Sequence, residues 1–232
     1  MKALSRYGFP ATVYLTTYYY VRQNPIFRLA VQYMFWKTAA QRLDLSGWPL
    51  EESGVASLLG NGNREQLMWR VINHGEAELS EEERARFAGQ LGERLGVDYE
   101  RIARTRMFSL VNPSELKEMK ASGIDFQLHT HRHRFPVNGE LAEREIAENR
   151  AVLDPILQRR TEHFCYPSGE WSKEHWPMLE AAGIRSATTC DPGLNGPGTP
   201  RLALKRFLDG NDIGDIDFEA EVAGLKHLFR RD

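Results

Sequence analysis

Two cysteines in 232 residues leave no material for a disulfide framework or a thiolate zinc site. Both, Cys165 and Cys190, fall in strand-like stretches and read as small buried apolar residues. No stretch suits a bilayer: the greasiest, Ile26 to Trp36, is broken by Arg28 and Gln32 and is too short. The start, Met1-Lys2-Ala3-Leu4-Ser5-Arg6, has neither the apolar centre nor the cleavage pattern of a secretory leader. No block of lysine and arginine occurs, and the formal charge is −2, which argues against a dedicated nucleic-acid surface. Low-complexity tracts are absent too. These exclusions predict a soluble, cytoplasmic chain with no membrane span and no nucleic-acid partner. The remainder is ordinary for a globular protein, with 41% hydrophobic and 27% charged residues, and is long enough for one domain carrying a helical insertion.

One unit of grammar recurs three times: a helix end, glycine, an apolar residue, then a strand. It runs Leu4-Ser5-Arg6-Tyr7-Gly8-Phe9 before Ala11–Thr16, Leu116–Ser122 with Gly123-Ile124 before Phe126–His129, and Met178–Ala182 with Gly183-Ile184 before Ser186–Thr189. Glycine just past a helix supplies a left-handed cap. Strands alternating with helices imply parallel βα units, hence an α/β class, barrel-like or doubly wound. The first unit has only a short helix, and no strand feeds it. Either the chain begins inside a βα repeat, or this is a native N-terminal helix that needs no strand.

Residues 26–105 read as a helical insertion within a single domain over 1–232. Helical periodicity marks Ile26–Ala40, Arg64–Ile72 and Ser80–Leu95, the last opened by the capping box Ser80-Glu81-Glu82-Glu83. Pro113-Ser114-Glu115 starts the next helix of the α/β core. Gly139–Arg160 forms a long amphipathic helix whose charges read as a solvated face, Asp191–Pro200 a loop, and Asp217–Phe229 a closing helix.

Chemistry concentrates at His129-Thr130-His131-Arg132-His133, directly behind the apolar run Ile124–Leu128. A strand that ends in histidines delivers imidazoles to one rim of a sheet, where divalent metals are bound. If the strand continues, His129 and His131 share a face. If it stops at His129 and turns, His129 and His133 converge, and the following Arg134-Phe135-Pro136 favours that turn. Two histidines still leave a zinc site short of protein ligands. Phe164-Cys165-Tyr166-Pro167-Ser168-Gly169 is a second feature, a strand broken by Pro and Gly whose backbone N–H groups could hold an oxyanion beside a metal.

Together these stretches resemble the polysaccharide deacetylases of the NodB type. Tyr7–Thr17 is similar to their second strand, His129-Thr130-x-x-His133 to their histidine motif, and Tyr166-Pro167-Ser168-Gly169 to a variant of their Pro-x-Gly motif. Arg185–Arg206, with Gly193-Leu194-Asn195 and Leu204-Lys205-Arg206, is similar to the later part of that domain. The resemblance spans residues 1–25 and about 106–228. It implies a distorted (β/α) barrel that removes N- or O-acetyl groups from acetylated oligo- or polysaccharides with a divalent metal, most often Zn. Carried over by position, it makes His129 and His133 metal ligands and the Ser168 N–H an oxyanion donor. Tyr166, Pro167 and Gly169 shape a sugar groove. His131 falls between the ligands, receives no role from the resemblance and reads as a hydrogen-bonding support behind them. Arg206 stands in the place of the family's fourth motif, either buttressing the site or forming a strand-edge salt bridge.

Departures from the family pattern set further expectations. The family's Thr-Phe-Asp-Asp-Gly strand, source of an aspartate base and an aspartate ligand, has no counterpart here. A barrel missing its first strand and impaired in activity is therefore expected, with loss of a base costing about 10²–10⁴ in rate. Cys165 stands where many relatives carry an arginine, and His227 is one residue out of register with the family's late histidine motif and reads as surface. His74, His163 and His175 receive no functional role. The alternatives are a non-catalytic remnant that binds metal or carbohydrate and a different histidine–metal hydrolase. An open barrel edge predicts a homodimer or poor solubility.

Overall fold

A computed structural model describes residues 2–48, 50, 54–60 and 62–226. His227 and the end of the expected closing helix lie outside the described residues. The chain divides into a sheet unit, residues 1–18 and 114–232, and a helical unit, residues 19–113. In chain order the elements are α1 (Lys2–Tyr7), β1 (Thr12–Leu15), α2 (Thr17–Arg22), α3 (Phe27–Lys37), β2 (Arg42–Asp44), β3 (Val55–Ser57), α4 (Asn63–Glu78), α5 (Glu81–Leu95) and α6 (Tyr99–Arg104). They continue with α7 (Pro113–Ala121), β4 (Asp125–Leu128), α8 (Gly139–Leu157), β5 (His163–Cys165), α9 (Trp176–Ala181), β6 (Ser186–Thr188) and α10 (Asp215–Val222).

The α/β class is borne out. Four parallel strands lie in the order β1-β4-β5-β6, so spatial neighbours follow chain order as in a singly wound βα array. All three glycine punctuation marks work as expected. Gly8, Gly123 and Gly183 have φ of 65°, 84° and 69°. In each case the next residue donates back five positions: Phe9 N to Leu4 O, Ile124 N to Met119 O, Ile184 N to Leu179 O. That is the Schellman closure, which satisfies a helix carbonyl and turns the chain into the coming strand.

Register then sorts the side chains. Leu15, Leu128, Phe164 and Ala187 align as one row across the four strands, and all are buried. The opposite parity carries Tyr14, Gln127, His163, Cys165, Ser186 and Thr188. This second face is hydrogen-bonded. Gln127 Oε1 accepts from the Glu162 and His163 N–H groups, and His163 Nδ1 lies 2.8 Å from Ser186 Oγ. Every strand's carboxyl end therefore meets one rim, which carries Thr16 and Thr17, His129, Tyr166–Gly169 and Thr189.

The helical unit has its own core, with Phe27, Val31, Met34, Phe35, Leu67, Val71, Ile72, Phe87, Leu91 and Leu95 buried together. The Ser80 capping box forms as expected, with Glu83 N donating to Ser80 Oγ and Ser80 N to Glu83 Oε2. Two features differ from the sequence reading. A short antiparallel pair, β2 with β3, was not expected. Helix α4 runs on to Glu78, because the buried Arg84 guanidinium caps it, donating to the Gly75 and Glu76 carbonyls at 2.7 Å each.

The close approach of α5 to the chain after it gives a sharp contrast. A Cβ on Gly92 would stand 2.6 Å from the Val97 carbonyl oxygen, a backbone atom, whereas one on Gly89 would meet nothing nearer than Tyr99 Cδ1 at 3.9 Å. Gly92→Ala is expected to lower stability by about 2 kcal/mol through overpacking. Gly89→Ala should be neutral or raise stability by up to about 1 kcal/mol through helix propensity. Urea denaturation of the two variants checks both signs.

Candidate active site

Strand β4 ends at Leu128, and the chain turns at once. Thr130 and His133 adopt left-handed φ of 63° and 59°, conformations that cost a β-branched residue in particular. The turn resolves the two geometries open for the histidines. The His129 and His133 rings stand 4.8 Å apart, centroid to centroid, at 78° to one another. His131 is carried elsewhere: its Nδ1 lies 2.8 Å from Thr17 Oγ1, and its carbonyl accepts from Thr16 Oγ1 and Tyr18 N.

His129 is fixed by two strands at once. Its Nδ1 lies 2.8 Å from the Cys165 carbonyl oxygen, which can only accept, so Nδ1 carries the proton and Nε2 the lone pair. Burial holds its pKa down to about 4, only partly offset by that hydrogen bond and reinforced by nearby His133 and Arg206. At neutral pH the ring is therefore uncharged, the form that ligates metals. A pair of imidazoles, one of them with its tautomer set, fits half of a divalent-metal site. No group of three His, Cys, Asp or Glu side chains suited to a metal occurs among the described residues.

What holds the turn is a residue the motif reading passed over. Asn149 of α8 is fully buried. Its Oδ1 accepts from the His129 N–H, and its Nδ2 donates to the Leu15 carbonyl and to Thr17 Oγ1. Since Thr17 Oγ1 accepts there, its own proton is available to His131 Nδ1. Helix α8 also corrects the reading of its charges as a solvated face. Glu145 is buried and accepts from both the backbone N–H and the guanidinium of Arg132, which Glu148 also pairs. Arg150 spends its guanidinium on the Thr161 and Ala182 carbonyls. The helix stops at Leu157, short of Arg160, because Asp154 Oδ1 draws the Thr161 N–H and hydroxyl into a cap-like turn.

After β5 the chain makes its second bend. Tyr166 and Pro167 are buried, Ser168 is exposed with φ of 57°, and Gly169 has φ of 72°. Gly169 is required twice over, since a Cβ there would strike Cys190 Sγ at 2.5 Å. The Gly169 and Glu170 N–H groups are spent on the turn, donating to the Tyr166 and Pro167 carbonyls. Tyr166 donates its hydroxyl to the Leu202 carbonyl at 2.8 Å, and burial pushes its pKa up, so it stays a neutral phenol. Phe135, just past the histidines, packs among Phe164, Tyr166 and His175 and so joins the two bends. His175 is held in one tautomer, Nε2 donating to the Phe135 carbonyl and Nδ1 accepting from Ser172 N.

Cys165 is buried in β5, as expected. Cys190 is not a strand residue: it lies half-buried beyond β6, where its sulfur accepts from Arg206 Nη2 at 3.2 Å. Arg206 thereby stands on the same rim, its N–H donating to the Asp191 carbonyl just past the bridge between Thr188 and Leu204.

Removing Asn149 leaves three buried polar groups without their partner. Asn149→Ala is expected to cost about 3 kcal/mol of stability, read by chemical denaturation. Thr105→Ala, which removes hydroxyl hydrogen bonds at the exposed end of α6, should cost less than about 1 kcal/mol.

Residues 88–187 match the family model described as polysaccharide deacetylase. Over 115 residues the chain is 25% identical to the Bacillus subtilis (strain 168) protein named "Putative polysaccharide deacetylase YxkH", covering 48% of this chain and 41% of that protein. Similar solved structures include the polysaccharide deacetylase BC0361 from Bacillus cereus, at 24% identity and TM-score 0.44 over 49% of this chain and 37% of that one. IcaB from Ammonifex degensii is another, at 27% identity and TM-score 0.42 over 45% and 50%. The chain thus spans less than half the length of the curated relative it matches. The matched segment holds both the histidine turn and the Pro-Ser-Gly bend, and over it the chain is similar to the polysaccharide deacetylases.

Proposed function

We propose that this rim performs metal-dependent deacetylation of N- or O-acetylated sugars in an oligo- or polysaccharide, at a reduced rate. The observation that carries the reading is the convergence of the neutral His129 ring with His133, one strand away from the Pro-Ser-Gly bend. His129 Nε2 and His133 would hold a divalent ion, with zinc the best match to imidazole ligation. Such an ion, when bound, polarises an acetyl carbonyl and lowers the pKa of a water. The exposed Ser168 N–H, which the turn does not use, is positioned to donate to the oxygen of a tetrahedral intermediate. Tyr166 and Pro167 back the bend from beneath, and Gly169 keeps it open for a sugar. His131 serves through Thr17 and Asn149, which hold the His129 backbone in place. The reduced rate follows from the donor set, since no third protein ligand joins the imidazoles among the described residues. We read the helical unit as an insertion into this deacetylase sheet.

Elemental analysis of the purified protein should find zinc or another divalent ion, lost in His129→Ala and in His133→Ala. Acetate should be released slowly from an acetylated chitooligosaccharide, and addition of a chelator should stop it. Metal without turnover on several N- and O-acetylated sugars would leave the non-catalytic binding remnant as the better reading. Equal metal content in wild type and both alanine variants would remove the site.

Strand β1 pairs with β4 on one side, and its other edge has no strand partner among the described residues. We propose a homodimer through this edge, since unpaired strand groups attract a second strand. Light scattering should show a dimer that Thr12→Pro, at a position whose N–H faces the free edge, converts to monomer, and a wild-type monomer would refute it.

A further inference from the structure

The helical unit leaves one tryptophan in water. Trp36, near the end of α3, is 72% exposed, whereas the other four tryptophans of the chain are buried or half-buried. A lone exposed aromatic needs no explanation, but this one is both anchored and set beside a cavity. Tyr33, one turn back, lies 5.7 Å from the Trp36 ring between centroids and in turn packs on Phe108 at 5.4 Å. Tyr33 and Phe108 both rest against the core of the helical unit, so the platform is held in place before any ligand arrives.

Trp36 borders a shallow cavity of about 260 Å³ between α3 and the start of α4. Its apolar lining is Phe35, Trp36 and Met68, and its polar lining is Gln32, Arg64 and Glu65. Arg64 is fixed there, because its Nη1 donates to the Phe35 carbonyl at the end of α3 at 3.2 Å. The side chains of Gln32 and Glu65 make no hydrogen bond or ion pair among the described residues. One cation, one carboxylate and one amide thus surround an aromatic face, with Lys37 Nζ 5.7 Å from the ring centroid. Nucleic acid or anionic lipid needs a run of cations, which this lining does not offer. An apolar helix or strand would cover the three polar side chains without giving them partners. A sugar ring satisfies all of them: its C–H face lies on the aromatic ring, and its hydroxyls both donate and accept. We propose that this groove binds a neutral pyranose ring of an oligo- or polysaccharide, stacked on Trp36 and hydrogen-bonded by Gln32, Arg64 and Glu65. It is a second sugar site, built wholly from residues of the helical unit, and it holds a polymer on the chain by a second point of attachment. That the sugar is an acetylated one rests on the deacetylase reading; the binding itself does not.

The experiment therefore measures binding without turnover. The chelator-treated full chain is titrated with chitotetraose and, separately, with cellotetraose by saturation-transfer NMR, with thermal melts as the check on folding. Wild type should bind at least one of them. Trp36→Ala should weaken binding about tenfold or more while leaving Tm unchanged, and Gln32→Ala should weaken it about threefold. Chitotetraose bound more tightly than cellotetraose supports an acetamido sugar, and equal binding supports a pyranose of either kind. Absence of binding by both oligosaccharides overturns the proposal, as does unchanged affinity in Trp36→Ala. Should Trp36→Ala fail to fold, unchanged affinity in Gln32→Ala overturns it. A Trp36-dependent dimer in sedimentation velocity would put a second copy of the chain in the groove and overturn it as well. Trp36-dependent sugar binding without acetate release would sink the deacetylase reading alone, and acetate release without such binding would sink this one alone.

Discussion

The hydrogen bond from His129 Nδ1 to the Cys165 carbonyl is the contact on which the rim depends. It joins the carboxyl ends of two neighbouring strands, and it exists because the parallel register places Leu128 against Phe164. One residue further along each strand, the imidazole and the carbonyl meet. The bond also chooses the tautomer, leaving Nε2 as the nitrogen with a lone pair. Burial keeps the ring neutral, so a single geometric feature sets position, orientation and protonation together.

Three left-handed residues, Thr130, His133 and Ser168, sit on the same rim. Such conformations cost of order 1–3 kcal/mol each and persist where the surroundings over-determine them. Here the surroundings are visible. Asn149 pins the His129 N–H, Thr130 Oγ1 accepts from the Arg134 N–H, and Glu145 takes the Arg132 N–H and guanidinium. Phe135 closes the turn against Phe164 and Tyr166. Helix α8 thus acts as the scaffold of the site, with an amide and a carboxylate aimed inward from a helix that looks merely charged and amphipathic.

Local rules read well from the chain because their causes are local. The three glycine closures, the Ser80 capping box and the βα alternation each depend on residues within about five positions of one another. The histidine turn was legible to the same extent, since Arg134-Phe135-Pro136 marks where a strand cannot continue. Asn149, Thr17 and Arg84 were not legible as site or cap residues. Their partners lie 132 positions away in the Asn149–Thr17 bond, and the Arg84 guanidinium reaches back to a helix end that it lengthens. Cys190 was misread for a related reason: a short apolar-looking segment does not say where pairing stops, and Thr188 is the last strand residue.

By itself the amino-acid order determined the α/β class, the positions of the chain reversals, and the two short segments that carry chemistry. Backbone conformation and hydrophobic spacing act over a few residues, so those properties need no knowledge of what packs where. It took the fold to bring His133, and not His131, beside His129, to leave the Ser168 N–H unspent at an exposed bend, and to carry Arg206 to the same rim. Each of these is set by strand register and by side chains from distant elements, which meet only once the sheet has formed.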